Sequence, residues 1–416
     1  MATRSNPVTV QSAPNYTVPF IIVAALFGIF GFLTSLNNQL VGKLKETFTL
    51  GYGQAMLATA AWFLAYLVFS VPSGKLIERV GYKKTMVISL FIMVLGALAF
   101  IPAANSVSFP LTLGAIFLLA TGVCALQTSA NPYAAILGPE HSAALRVNLA
   151  QAFNSGASAL APVVAAAFIL SDVNKRGTTT EQAHMLITPY IVIAAALFVL
   201  GFIVMGLHLP TVNLTRAFRP GDADAAGGRS IWSYPHVVLG MVGIFFYVGE
   251  EIALAAIGVR FAQEQGISDV KVAGFLVTAY YLLIMIGRFA GSALMTKIRP
   301  EKLLVGLGIF GILLMATGMA TSGAVAVGCL VLCGLANSIM YPTIFVLGIA
   351  ELGPMTSKGS GVITIGNVGG AVIPLLFGAL ADKVGIQYAF ILPIICYMYV
   401  AYYGLLGYKP ARAVKA

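Results

Sequence analysis

Amide side chains stand out in a chain that is otherwise apolar. Asn148, Gln151 and Asn154 follow one another at steps of three, a spacing that drifts slowly round one face of a helix. Gln127 and Asn131 are four apart, as are Thr34 and Asn38, and Asn337 and Tyr341; that interval puts each pair on a shared helical face. Asn37 adjoins Asn38. Neutral amides donate and accept hydrogen bonds but cannot take up a proton near neutral pH. A stripe of them on several helices suits an uncharged ligand with many hydroxyl groups. Each could equally serve as hydrogen-bonding glue between helices, and Asn131, next to Pro132, could cap a carbonyl that the proline frees. Trp62, Tyr66 and Tyr281 could stack on a ring-shaped ligand, pack, or anchor at an interface.

Ionisable groups inside apolar runs are few. Glu250 and Glu251 are adjacent, about 100° apart on a helix, so only one is expected to face any central cavity. A carboxyl in that place could carry a proton or help hold a cation; the alternative is a hydrated position paired with Arg260. Arg288 keeps its proton and must be paired or hydrated. Glu78, Arg79 and Lys83 lie in one polar turn and Arg146 in another, and such charges can pair and part to bias one conformation over another. The four His (His141, His184, His208, His236) show neither H-x-x-x-D nor H-E-x-x-H spacing, so a membrane-embedded transferase lacks an acid/base pair. Four Cys lie inside apolar runs without metal-ligand spacing and are expected to be free thiols; neither a metal nor a cofactor is expected.

These residues need elements to hold them, and the composition says which. Of 416 residues 59% are hydrophobic and only 9% charged, with mean hydropathy +0.92. Soluble domains carry about 25% charged residues, so a water-facing surface is excluded and a bilayer is implied. A span takes about 20 residues. Apolar runs fall at about 18–42, 54–77, 83–103, 109–137, 144–170 and 188–207, then at 233–262, 270–296, 302–322, 324–350, 358–381 and 386–407. The expected organisation is a disordered tail over 1–17, a six-helix bundle over 18–207, a flexible linker over 208–232, a second six-helix bundle over 233–407, and a tail over 408–416. Most of the 24 Lys and Arg fall in the tails, the linker and the alternate loops that share a side with the N-terminus, including Lys75, Arg79, Lys83, Lys84 and Lys297. That asymmetry puts both termini in the cytoplasm and the chain in the inner membrane. It also accounts for the net charge of +10 without nucleic acid.

The two sets of six look related. Asn131-Pro132-Tyr133 and Tyr341-Pro342-Thr343 recur with their prolines 210 positions apart, and Ala-Pro at 161–162 recurs as Ile-Pro at 373–374. Two parallel repeats of six spans facing a midplane site are expected.

The segment SGKLIERVGYKK (73–84) resembles the G-x-x-x-D-R-x-G-R-[KR] signature of the major facilitator superfamily, with Glu78 where Asp is usual. LQTSANPYAAILGPE (126–140), RVNLAQAFNSGASALAPV (146–163), FFYVGEE (245–251), IGRFAGS (286–292), YPTIFVLGIAELG (341–353) and GGAVIPLLFGALAD (369–382) resemble the fucose–galactose–glucose group of sugar transporters within it. The resemblance implies an all-α membrane protein, twelve transmembrane helices in two six-helix halves, that moves monosaccharides by alternating access. It implies a sugar held between the halves, with contacts at Gln151, Asn154 and Tyr341; the amide and aromatic pattern adds Asn37, Asn38, Gln127, Tyr281 and Asn337 as candidate sugar-binding residues. It further implies a cytoplasmic charge network at Glu78, Arg79, Lys83 and Arg146; Arg288 joins them as a candidate latch residue, and a monomer is expected.

One departure bears on coupling. The group carries Leu-Asn-Asp in its first helix, the Asp being linked to protons in fucose symporters; here the run is Leu36-Asn37-Asn38. A second acid of those symporters, in the fourth helix, is Gln127 here. The expectation is therefore either facilitation or coupling to H+ or Na+ through Glu250 or Glu251. An amino-sugar permease related to N-acetylglucosamine carriers and a non-transporting sugar sensor are the alternatives.

Overall fold

The computed structural model describes residues 16–48, 52–168, 184, 187–207, 230–267 and 269–410. Twelve long helices account for nearly all of them. They are α1 (Thr17–Thr47), α2 (Tyr52–Val80), α3 (Tyr82–Asn105), α4 (Phe109–Ile136), α5 (Ala143–Phe168) and α6 (Ile187–Gly206). The second set is α7 (Pro235–Glu264), α8 (Val270–Leu294), α9 (Pro300–Ala320), α10 (Gly323–Gly348), α11 (Gly353–Val384) and α12 (Ile386–Gly407). Eleven are long and apolar enough to cross a membrane; α5, which carries Arg146 and the amides, is the twelfth. The expected linker and both tails fall almost wholly outside the described residues.

Local sequence explains the helix ends. Ser108 accepts a hydrogen bond from the Leu111 N–H at the start of α4, and Pro235 and Pro300 sit in the first turns of α7 and α9, where a missing N–H costs nothing. Between α2 and α3 the chain turns through Gly81 with φ of 83°, a left-handed conformation that costs a side-chain-bearing residue strain. Leu95, Val192, Phe275, Leu313 and Leu405 are exposed on the outer surface and form part of a lipid-facing belt.

The packing repeats. In the first set α1 lies against α5, α2 against α4, and α3 against α4 and α6; in the second, α7 lies against α11, α8 against α10, and α9 against α10 and α12. Every pair has its counterpart six helices later, so the two halves share one arrangement. They meet along α2–α11, α4–α11, α5–α8 and α5–α10. The α2–α11 crossing is close: a Cβ on Gly74 would lie 2.7 Å from the Ser357 carbonyl, and one on Gly361 2.8 Å from the Ser70 carbonyl. At this end Glu78 Oε1 lies 3.4 Å from Lys358 Nζ, the Tyr82 hydroxyl lies 3.3 Å from Ser357 Oγ, and Asn148 Nδ2 reaches Met295 Sδ at 3.3 Å. The halves are closed here.

Candidate substrate cavity

A cavity of about 770 Å³, counting the part open to solvent, lies between the halves. The first half contributes Thr34 and Ser35 of α1, Trp62, Phe63 and Tyr66 of α2, Gln127 of α4, and Gln151, Asn154 and Ser158 of α5. The second half contributes Tyr247 and Glu251 of α7, Tyr281 and Arg288 of α8, Tyr341 of α10 and Asn367 of α11. Burying amides and hydroxyls in a membrane bundle is costly unless they are bonded, and most of these are.

Hydrogen bonds across the halves close the floor. Gln127 Nε2 donates to the Tyr341 hydroxyl at 2.8 Å, and Asn367 Nδ2 reaches the same oxygen at 3.4 Å while donating to the Thr364 carbonyl at 2.8 Å. Asn154 divides its amide: Nδ2 donates to the Phe27 carbonyl of α1 at 3.1 Å, leaving Oδ1 as an acceptor. That bond needs Gly31, since a Cβ there would fall 2.4 Å from Asn154 Nδ2. Gln151 Nε2 points toward Asn131 Oδ1 at 3.5 Å. The rings of Trp62, Tyr66 and Tyr281 complete an amphipathic lining.

Charge is confined to one side. Glu251 and Arg288, both in the second half, are the charged residues of the lining. Arg288 is 4% exposed; its Nε donates to the Ser338 carbonyl at 2.9 Å and its Nη1 to the Gln151 carbonyl at 2.6 Å and to Ser155 Oγ. The neighbouring acid, Glu250, turns away from the cavity into the interior of the second half, fully buried beside Asn337 and Tyr397. The 100° separation of successive helical residues thus splits the pair between two environments.

Several expected positions fall elsewhere. Asn337 is off the lining: its Nδ2 donates to the Tyr280 hydroxyl at 2.7 Å and its Oδ1 accepts from Tyr397 at 2.8 Å. Its four-residue spacing from Tyr341 does not put both on one face because α10 is interrupted at Ser338 and Ile339. Asn37 is buried but is not part of the lining, and the side chain of Asn38 lies outside the described residues. Among the charges expected to form a network, only Glu78 and Arg288 reach the other half. Lys83 Nζ donates to the Met205 carbonyl at the end of α6, and Arg146 to the Ala134, Ala135 and Pro139 carbonyls at the end of α4. Both neutralise the negative ends of helices. Arg79 is exposed. Asn367 and Lys358 are among the members that sequence reasoning missed, as are Ser35, Ser158 and Tyr247 of the lining. Asn367 was marked only by an amide inside the Gly-rich run GNVGG, and Lys358 by nothing local.

A profile described as Major Facilitator Superfamily matches residues 20–367, and the chain belongs to that family. It is a transporter by fold, and no group of His, Cys, Asp and Glu suited to a metal ion occurs among the described residues. It is 42% identical to a glucose/galactose transporter of Brucella abortus over 414 residues, spanning 97% of this chain and 98% of that one. It is 32% identical to the L-fucose-proton symporter of Escherichia coli over 403 residues, 92% of this chain and 91% of that. Among solved structures it is similar to the major facilitator transporter FucP in the outward conformation, with TM-score 0.82 and 29% identity over 94% of this chain and 98% of the other.

Proposed function

We propose that the protein carries a hexose, glucose or galactose in the first instance, across the inner membrane as a monomer by alternating access. The observation that carries this reading is the cavity between the halves, whose first-half wall is amide, hydroxyl and aromatic without charge. Gln127, Gln151, Asn154 and Tyr341 hold the sugar hydroxyls, Tyr281 flanks the ring, and Asn37 supports the α1 side. The positive-inside bias puts the closed end in the cytoplasm, so this form faces outward. Glu78 with Lys358, and Arg288 between α8 and α5, latch the cytoplasmic side, while Lys83 and Arg146 stiffen the helix ends beside it. Coupling falls to Glu251, the acid in the lining that can take up H+ or help hold Na+ next to the sugar. Glu250 sits behind it, outside the sugar's reach.

Labelled glucose and galactose uptake into proteoliposomes, with and without an imposed pH or sodium gradient, tests this. Accumulation above the outside level under one gradient is expected. Equilibration indifferent to both gradients would remove coupling and leave a facilitator, and failure to move either hexose would overturn the substrate assignment.

A further inference from the structure

Pro132 and Pro342 occupy matching places in α4 and α10. A proline inside a helix has no N–H, so the carbonyl four residues earlier loses its partner. Those carbonyls are Thr128 O, inside α4, and Ser338 O, at the break in α10 that Pro342 closely follows. Both residues are buried, and a buried carbonyl without a donor is costly. Each finds one outside its own helix. Ser360 Oγ of α11 donates to Thr128 O at 2.6 Å across the interface between halves. Arg288 Nε donates to Ser338 O at 2.9 Å while its Nη1 holds the Gln151 carbonyl of the opposite half at 2.6 Å.

The location gives these bonds meaning. Gln127 immediately precedes Thr128, and Tyr341 immediately precedes Pro342; these two side chains meet at 2.8 Å on the cavity floor. The backbone that aims each of them is the backbone whose carbonyl the proline has freed. Ser360 does not line the cavity.

We infer that Ser360 is a positioning residue: through the Thr128 carbonyl it fixes the proline-bent segment of α4 so that Gln127 faces the cavity, and it does so only while α11 lies against α4. Arg288 performs the matching task for Tyr341 from within its own half. When the halves part at this end, Ser360 withdraws, Thr128 O is released, and the α4 side of the floor loosens. Ligand grip and closure of this end are then one event. This role rests on the hexose reading for one of its two readouts.

The test is a double-mutant cycle between Ser360→Ala and Pro132→Ala. The second substitution restores the N–H that Thr128 O lacks, so the serine is no longer needed. In purified protein, Ser360→Ala is expected to weaken hexose binding about tenfold when Pro132 is present and less than twofold in the Pro132→Ala background. Ser360→Thr, which keeps the hydroxyl, is expected to stay within about twofold of the parent, and this comparison stands even where the Pro132 variant does not fold. The second readout is independent of sugar. Ser357→Cys places a thiol at the α2–α11 seam, where the Ser357 carbonyl faces Gly74 and its Oγ faces the Tyr82 hydroxyl. Its alkylation rate is expected to rise with Ser360→Ala when Pro132 is present but not in the Pro132→Ala background. Equal effects of Ser360→Ala in both backgrounds, or none with Pro132 in place, would overturn the inference. A parent protein that binds no hexose but shows the background-dependent alkylation would overturn the sugar assignment and leave the positioning role standing.

Discussion

The two walls of the cavity are built from different chemistry although the halves share one packing plan. The first half offers Gln127, Gln151 and Asn154 with Trp62 and Tyr66 and no charge; the second offers Glu251 and Arg288 among Tyr247, Tyr281 and Tyr341. Amides and hydroxyls match a neutral polyol group by group, whereas a carboxylate matches a cation or proton. On the reading proposed above, one symmetric frame carries most of the sugar recognition on its first wall and the ion chemistry on its second. Substitutions on one wall should therefore move sugar affinity, and substitutions on the other should move gradient dependence.

That division can be broken outright. Glu251→Gln is expected to abolish accumulation above equilibrium while leaving exchange of labelled sugar between the two sides; accumulation that persists would take coupling off this wall. The next largest effect is expected from Gln127→Ala, which removes an amide from the neutral wall. Hexose affinity should fall about ten- to a hundredfold, with the response to the gradient unaltered, as measured by counterflow at varied sugar concentration. Tyr341→Phe deletes the hydroxyl that ties the walls together and takes away the partner of Gln127 Nε2, while Asn367 keeps its bond to the Thr364 carbonyl. About a tenfold loss of affinity is expected in binding calorimetry. Glu250→Gln keeps the shape of the acid outside the cavity and is expected to leave both affinity and accumulation within about twofold. A large effect there would extend the ion chemistry beyond the wall. The smallest effect is expected from Glu78→Gln. Its partner Lys358 is 45% exposed, and an exposed pair contributes only about 0–1 kcal/mol, so uptake should change by no more than a fewfold.

Much of this was legible in the sequence because a membrane makes polar residues conspicuous. Twelve apolar runs, the matched prolines and the amides Gln127, Gln151 and Asn154 could be read directly, since each breaks a pattern that water would not have enforced. Helical spacing misled where the helix itself is broken. Asn337 and Tyr341 stand on opposite sides of the interruption at Ser338 and Ile339, so Asn337 serves Tyr280 and Tyr397 instead of the cavity. Pairing of charges was illegible for another reason. Glu78 meets a lysine 280 positions away, and Lys83 and Arg146 meet carbonyls, which are present at every residue and leave no mark in a sequence. Ser360 was hidden likewise: the demand for it arises at Pro132, in a different half.

The bare crossing of Gly74 and Gly361 has a consequence for how quickly the molecule can cycle. Where two backbones touch without side chains between them, parting requires no rotamer to be reset and rejoining requires none to be found. The seam behaves like a ground valve seat, sealing by flatness. Any grit on it holds the valve ajar, so a leucine at either glycine should yield a protein that cannot shut this end, and with it a ready preparation of the opposite half of the transport cycle.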